Sequence, residues 1–562
     1  MTTEATLLLP FVILWPLLLG VLCLVPKLGP KMLPTLPLGP LPALAAVLLA
    51  PRDDTFSVRW ILLDGGLRLT DTGAMFLGGA GLVWLCAGVY ALRYMRGDPR
   101  APTFVLFWML VLAGNLGVFL AADLASFYVY FALVSLAAYP LVIHDRKPAS
   151  MWAGAVYIIL AVIGETALLA GFLMAVEAAG GTTLIDKVRV SLAAPTADPL
   201  VQWLLIAGFG IKAGLVPLHV WLPVAHPAAP VPASAVLSGA IVKAGVFGLV
   251  TFLPWGQAWP VSGTVLALAA FTGLFAAALY GAMQRDPKTV LAYSTVSQMG
   301  LLMGAMGAAL AAGLPAVSVL PAVSLYALHH GLAKGALFLG VGVAGKARGA
   351  SRVLVIAVLA LVALSIAGLP FTAGALAKSA IKGPAGDFGA TLVGLSALTS
   401  GLLLARFLFT LPKAETADRP PGLMVVPMVT LAAAALALPW YLYTPVMGMA
   451  PYGTIDLLAL SASAWPLGLA AVLVIAAVGT GLRAPSLPEG DLLGVVARFS
   501  ARAAAATQAA VSAGGSEKPV EKGKTLPVIA EGLERLERLI NDHAATSVTL
   551  ILVALGLFAA LA

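Results

Sequence analysis

Six titratable side chains stand inside stretches otherwise apolar enough to cross a bilayer. They are Glu165 in AVIGETALLA, Lys212 in GFGIKAGLVP, Lys243 in SGAIVKAGVF, His330 and Lys334 in HHGLAKGALF, and Lys378 in GALAKSAIKG. A charge in the hydrocarbon interior is costly, so each one is read first as a functional residue. The chemistry open to them is proton transfer. Burial disfavours the charged form of a lysine and a nearby carboxylate favours it, so neutralising or moving the carboxylate would load or unload the lysine. Glu165 is the only acid in the interior of the first ten apolar runs, which makes it the natural modulator of Lys212 or Lys243; the competing reading is a static ion pair that specifies helix packing. No residue is expected to make or break covalent bonds, and no metal ligand set is expected.

The spacing supplies geometry. His330 and Lys334 are four residues apart, hence on one helical face, with His329 about 100° away from it. Lys212 precedes Pro217 by five residues, and proline there removes a backbone hydrogen bond and leaves carbonyls in need of water or another donor. His219 follows Lys212 by seven and would share its face if the helix continued, while His226 falls in the connection WLPVAHPAAP. For His219, His226 and His329 the expectation is an accessory role, with a structural hydrogen bond as the alternative. Lys378 lies at the end of an apolar stretch, where a lysine can also snorkel to the interface. Asp123 reads as a helix cap, Arg285, Asp286 and Lys288 as topology and capping residues, and Phe127, Tyr128, Tyr130 and Phe131 as packing.

The elements that must hold these groups are membrane spans. The chain has 562 residues, 60% hydrophobic and 10% charged, with mean hydropathy +0.99, which excludes an ordinary soluble domain. Runs long enough to cross the hydrocarbon core fall near 5–25, 33–50, 73–95, 102–121, 124–143, 151–175, 200–217, 231–253, 262–283, 288–312, 316–345, 352–372, 388–410, 422–442, 463–482 and 545–562. An all-α polytopic membrane protein of about sixteen transmembrane helices is therefore expected. The first run lacks a basic n-region and a small-residue cleavage site, so it is expected to be retained. Lys and Arg concentrate in the odd-numbered loops (Lys27, Lys31, Arg93, Arg96, Arg100, Arg146 and Lys147 among them), which predicts both termini on the non-cytoplasmic side. The net charge of +8 is read as this loop bias, with no nucleic-acid partner. Cys23 and Cys86 read as small buried apolar residues. Residues 483–544 are polar, and LPVIAEGLERLERLINDHA within them predicts an amphipathic helix on a membrane surface or a partner.

Two stretches echo one another: glycines, Lys212 and Pro217 near 203–223, and Gly368-Leu369-Pro370, Gly374 and Lys378 near 362–382. Paired Gly/Pro-interrupted spans point to repeated bundles with broken helices at an ion site. There is no phosphate loop, no CxxC cluster and no dinucleotide fingerprint, so ATP-driven pumping is not expected, no cofactor is expected, and any redox chemistry belongs to other subunits.

The segments FGIKAGLVPLHVWLPVAHPAAPVPASAVLSGAIVKAGVFG, DPKTVLAYSTVSQMGLL, LHHGLAKGALFLGVGVAG and AGLPFTAGALAKSAI resemble the antiporter-like, proton-conducting subunits of respiratory complex I, Mrp antiporters and membrane-bound hydrogenases. The likeness runs from about 75 to 410 and is greatest to the large membrane subunit of hydrogenase-4 and formate hydrogenlyase. It implies two inverted five-helix repeats, spans 4–8 (residues 101–253) and 9–13 (254–412), with spans 7 and 12 broken. Three spans (1–100) precede them, and spans 14–15 (413–482), segment 483–544 as a short lateral helix and a last span (545–562) follow. By motif position, Lys212 is the helix-7 lysine, Lys243 the helix-8 polar position, His330 and Lys334 the helix-11 pair and Lys378 the terminal helix-12 lysine.

The chain departs from the family pattern where helix 5 usually reads Phe-Trp-Glu, since Tyr130-Phe131-Ala132 stands there. Ala132 is nine residues past Asp123 and Glu165 fourteen past Met151, which places both near mid-depth of neighbouring helices and lets Glu165 replace the missing acid. Ser238 and Tyr326 stand where some members have histidine, and Ser379 where an acid can follow the helix-12 lysine. The implied function is proton translocation or cation/proton antiport within a complex that has further membrane subunits and a soluble arm, redox or zinc-containing, in a prokaryotic plasma membrane, with H⁺ as the ion, alone or together with Na⁺. Alternatives are the membrane half of an inorganic-carbon uptake complex, an Mrp-type Na⁺/H⁺ antiporter subunit, or a non-conducting scaffold.

Overall fold

Proline and glycine decide where the apolar runs start, break and stop. In the computed structural model, which describes residues 4–57, 65–413, 419–451, 457–481 and 487, the run near 33–50 is a 3₁₀ stretch, Leu33–Leu38, followed by α2 (Leu41–Leu49). Pro34, Pro37, Pro40 and Pro42 withhold the N–H groups a continuous α-helix would need. The first run is α1 (Leu8–Leu22). A small hairpin, β1 (Thr55–Ser57) against β2 (Gly66–Arg68), is the one β-sheet among the described residues.

The remaining helices are α3 (Asp71–Tyr94), α4 (Ala101–Val118), α5 (Leu124–Val142), α6 (Pro148–Ala178), α7 (Ile185–Leu192), α8 (Pro199–Ala213), α9 (Trp221–Ala228), α10 (Val231–Val236), α11 (Val242–Phe252), α12 (Pro260–Ala282), α13 (Pro287–Ala312), α14 (Ala316–Ala344), α15 (Gly349–Ala367), α16 (Ala373–Thr410), α17 (Gly422–Met447) and α18 (Leu457–Thr480). A π turn, Leu237–Ile241, joins α10 to α11. Eleven of the described helices are long and apolar enough to span a bilayer, with α10, the π turn and α11 counted as one; α1, α8, the combined stretch Leu33–Leu49 and the Ala464–Thr480 part of α18 are shorter apolar helices. The chain divides into two compact units, 1–57 with 66–491 and 58–65 with 492–562. Of the second unit only Gly65 is described, so the amphipathic helix expected within 483–544 and the span expected at 545–562 lie outside the described residues.

Side-chain caps fix several helix starts. Thr70, Asp123, Asp198, Asp286 and Thr372 each accept a backbone N–H of the following first turn. Asp123 is thus the cap its position suggests, and it also accepts from Gly66 N at 2.8 Å, tying α5 to the hairpin. α13 and α14 are buried along most of their length, whereas α6, α12 and α15 show large apolar side chains such as Ile159, Val265 and Leu361 on their outer faces. Small residues bring α12 and α13 together: a Cβ on Gly263 would lie 2.3 Å from Ala311 N.

Two helical paths are interrupted in the same way. Gly214 (φ +84°) ends α8 with its N–H and that of Leu215 both on Gly210 O. Gly368 (φ +98°) ends α15 with its N–H and that of Leu369 both on Leu364 O. Each is a glycine C-terminal cap, followed by a proline and then a new helix, α9 or α16. α16 itself turns at Gly386, whose φ of 66° and ψ of 175° are not helical.

Candidate functional site

Glu165 leaves α6 toward α5, where Ser135 Oγ donates to Glu165 Oε1 at 2.5 Å, and Glu165 Oε2 has no partner. Ser135 is three residues beyond Ala132, so the carboxylate on α6 reaches α5 within one turn of the position where the family's helix-5 glutamate is expected. Lys212 is the penultimate residue of α8, buried, with Nζ 5.5 Å from the ring centroid of Phe131 and 5.8 Å from that of Tyr157. Those are cation–π distances, so Phe131 does more than pack. Glu165, Lys212, Ser135, Phe131, Tyr157 and Trp221 line one cavity that leaves about 10 Å³ for the centre of a water molecule, room for roughly one. Lys212 and Glu165 do not touch as an ion pair. Trp221 Nε1 donates to Ile211 O at 2.7 Å, satisfying a carbonyl freed at the break.

Lys243, on the first turn after the π turn, donates to Ser238 O at 2.5 Å and shares a 2.8 Å hydrogen bond with His330 Nδ1 on α14. A charged Lys243 donates to a bare Nδ1, which puts the imidazole hydrogen on Nε2, an atom with no partner. The same turn leads to Lys334. Ser238 Oγ and Thr295 Oγ1 are 2.7 Å apart, Thr295 donates to Leu291 O at 3.0 Å, and Lys334 Nζ donates to that carbonyl at 2.9 Å. The close approach of α14 to the π turn depends on Gly239 and Gly331, since a Cβ on Gly331 would lie 2.6 Å from Gly239 O.

His329, next to His330 but on another face, reaches the second break. Its Nε2 is 3.0 Å from Ser365 Oγ, which accepts from Gly374 N at 3.0 Å. Lys378 does not snorkel. It is buried and donates to Ala367 O at 3.0 Å and Ser396 Oγ at 2.9 Å, because the break frees the first acceptor and the second half of α16 supplies the other.

His219 is buried in the stretch between α8 and α9; the helix does not continue past Gly214, so the face that His219 would have shared with Lys212 does not form. One further expectation is corrected. His226 lies in helix α9 rather than a connection, fully buried, stacked on Phe338 at 4.7 Å with neither ring nitrogen bonded. Lys288 has a bonding role beyond topology, donating to Pro227 O at 2.8 Å and Ala229 O at 2.6 Å at the end of α9, while Asp286 caps α13 as expected. Sequence reading passed over Ser135, Thr295, Ser365 and Ser396. Serine and threonine are common in apolar helices, where they bond their own backbone, and only the tertiary contact distinguishes these four.

Eleven membrane-length helices, with buried Lys212 and Lys378 beside two helix breaks, define the class: a multi-pass membrane protein with charged residues in its interior. The family follows from comparison. The chain belongs to the NADH:quinone oxidoreductase/Mrp antiporter transmembrane family, whose profile matches residues 121–403, half of the sequence. It is 34% identical over 298 residues to hydrogenase-4 component B of Escherichia coli (strain K12), an alignment covering 50% of this chain and 43% of that protein. The chain spans less than half the length of the curated relatives it matches. Among solved structures, a chain of the Mrp complex from Dietzia sp. DQ12-45-1b superposes with TM-score 0.73 at 23% identity, covering 96% of this chain and 63% of that one. A chain of the membrane-bound sulfane sulfur reductase, an archaeal respiratory membrane complex, superposes with TM-score 0.67 at 20% identity, covering 83% of this chain and 99% of that one. At these identities the two structures establish the fold.

Proposed function

We propose that this chain translocates protons as an antiporter-like subunit of a larger membrane complex, with Glu165 setting the charge of Lys212 and with Lys243, His330 and Lys334 relaying protons toward Lys378. The observation that carries the reading is the buried cluster that gathers these titratable groups: Lys243 bonds His330 Nδ1 and Ser238 O, Ser238 Oγ bonds Thr295 Oγ1, and Thr295 and Lys334 both donate to Leu291 O, the carbonyls serving as anchors for the lysines. His329 and Ser365 extend it beside the break that holds Lys378. Lysine and imidazole nitrogens accept and release protons, whereas a Na⁺ ion needs oxygen ligands, so the lining favours H⁺ as the ion moved. The domain reading accompanies it: 101–253 and 254–412 are the two repeats, with both chain termini on the non-cytoplasmic side of a prokaryotic plasma membrane. The driving reaction is assigned to a soluble arm of the complex.

The test is Glu165→Gln in the intact complex, purified and reconstituted in vesicles with a pH-sensitive dye. Proton transfer is expected to fall about 100-fold, the usual scale for losing a positioned proton-transfer group, with subunit composition unchanged. Coupling at the wild-type level would sink the assignment and favour a non-conducting scaffold.

A further inference from the structure

Among the described residues Ser135 is the one hydroxyl hydrogen-bonded to Glu165, and its geometry offers it two acceptors. Its Oγ lies 2.5 Å from Glu165 Oε1 and 3.0 Å from Phe131 O, the carbonyl one turn back in its own helix. A serine hydroxyl has a single hydrogen and two lone pairs, so it serves one acceptor at a time. With Glu165 ionised, the hydrogen belongs on the carboxylate, where a charge-assisted bond is the stronger of the two. With Glu165 protonated, the carboxyl O–H donates to Ser135 Oγ and the serine hydrogen turns to Phe131 O. Both protonation states then keep the bond between Glu165 Oε1 and Ser135 Oγ with no movement of either helix.

The surroundings hold this arrangement in place. Tyr157 OH donates to Ser135 O at 2.7 Å and its ring stacks edge-on against Trp221 at 5.2 Å, so α6 grips α5 at the serine itself. Tyr157 and Glu165 are eight residues apart on one face of α6. The other carboxylate oxygen has no partner and belongs to the cavity it shares with Lys212. The titratable groups facing Glu165 are Tyr128 on α5, Tyr157 on α6 and Lys212 on α8; α9 presents Trp221.

We infer that Ser135 is the positioning residue of the Glu165–Lys212 pair, a hydroxyl that exchanges acceptors with each protonation change of Glu165 and so keeps the carboxyl aimed at the lysine cavity in both states. The inference rests on the proton-transfer role proposed for Glu165. It is specific to a chain whose acid stands on α6, because Ser135 and not a glutamate is what α5 offers there.

The experiment compares Ser135→Ala, Ser135→Thr and Ser135→Cys in the reconstituted complex, each alone and with Glu165→Gln. Removing the donor to the carboxylate should move the pH profile of proton transfer about one to two units alkaline, the scale of a hydrogen bond to a charged group. Threonine keeps the hydroxyl and should restore the wild-type profile. Cysteine, close in volume but a weak donor, should shift it in the same direction as alanine and carries the test if the alanine variant does not assemble. In the Glu165→Gln background none of the three should change the residual rate. A wild-type profile in both Ser135→Ala and Ser135→Cys would overturn the inference while leaving Glu165 in place, as would losses of equal size with and without Glu165→Gln. If Glu165→Gln alone leaves transfer unchanged, the reading of Glu165 fails, and a profile shift in Ser135→Ala would then overturn a role exerted through it.

Discussion

The two broken helices share a backbone and differ in what surrounds the lysine. At the first, Lys212 stands before the break, has aromatic rings beside it and shares a cavity with a carboxylate. At the second, Lys378 stands after the break and gives its hydrogens to a freed carbonyl and a serine, both neutral. A cavity with an acid suits a lysine whose charge is switched from outside, because neutralising the acid changes the lysine's preferred state. Neutral acceptors in a tight cradle offer no such switch and suit a group that receives and passes on. The likeness in backbone makes both positions candidate ion sites; the unlike surroundings fit them to different tasks.

The largest expected effect tests whether both sites lie on one path. Lys212→Met and Lys378→Met should each lower proton transfer in reconstituted vesicles by about 100-fold or more, with the complex still assembled by mass spectrometry. Loss at Lys212 with wild-type transfer at Lys378 would break the comparison, leaving the second break as structure alone.

Much of this was legible in the sequence, for identifiable reasons. A lysine in an apolar run is visible because nothing else in the run is charged, so all six principal residues stood out and all six are buried. The breaks were visible because glycine and proline act locally, and Gly214, Pro217, Gly368 and Pro370 fall in the two interruptions. What faces the lysines was not visible. Ser396 is eighteen residues beyond Lys378 and on the far side of the Gly386 turn, and Thr295 and Lys334 are on different helices, so no local spacing links them. His226 was misplaced because its flanking prolines read as a connection, although Pro223 sits in the first turn of α9 where a missing N–H costs little. The hairpin Thr55–Ser57 with Gly66–Arg68 is too short to show a period.

A second change sharpens the contrast by making the second site resemble the first. Ser396→Asp would put a carboxylate where the present hydroxyl lies 2.9 Å from Lys378 Nζ. A charge-assisted bond there is roughly twice as strong as the neutral one, so it should hold the proton on Lys378 and slow transfer about tenfold, the equivalent of 1.4 kcal/mol. Ser396→Ala, which keeps the Ala367 carbonyl as acceptor, should cost only a few-fold by the same measure. If the aspartate speeds transfer, the second site wants an acid and the division of tasks between the breaks is wrong.

The smallest effect separates backbone from side chain. Gly214 and Gly368 both hold left-handed φ, so Gly214→Ala and Gly368→Ala should lower stability by a similar amount, roughly 1–2 kcal/mol, read as a fall in the thermal midpoint of the purified complex. The added methyls meet different neighbours: Leu222 Cδ1 at 3.0 Å in the first case and Lys378 Cδ at 3.2 Å in the second. A leucine terminus can give way without touching an ionisable group, whereas moving the Lys378 stem draws its ammonium from Ala367 O and Ser396. Gly368→Ala should therefore slow transfer a few-fold beyond what its stability explains, and Gly214→Ala should not. Equal slowing in both would mean that the shape of the break governs transfer, and that the cradle around Lys378 matters less than the turn preceding it.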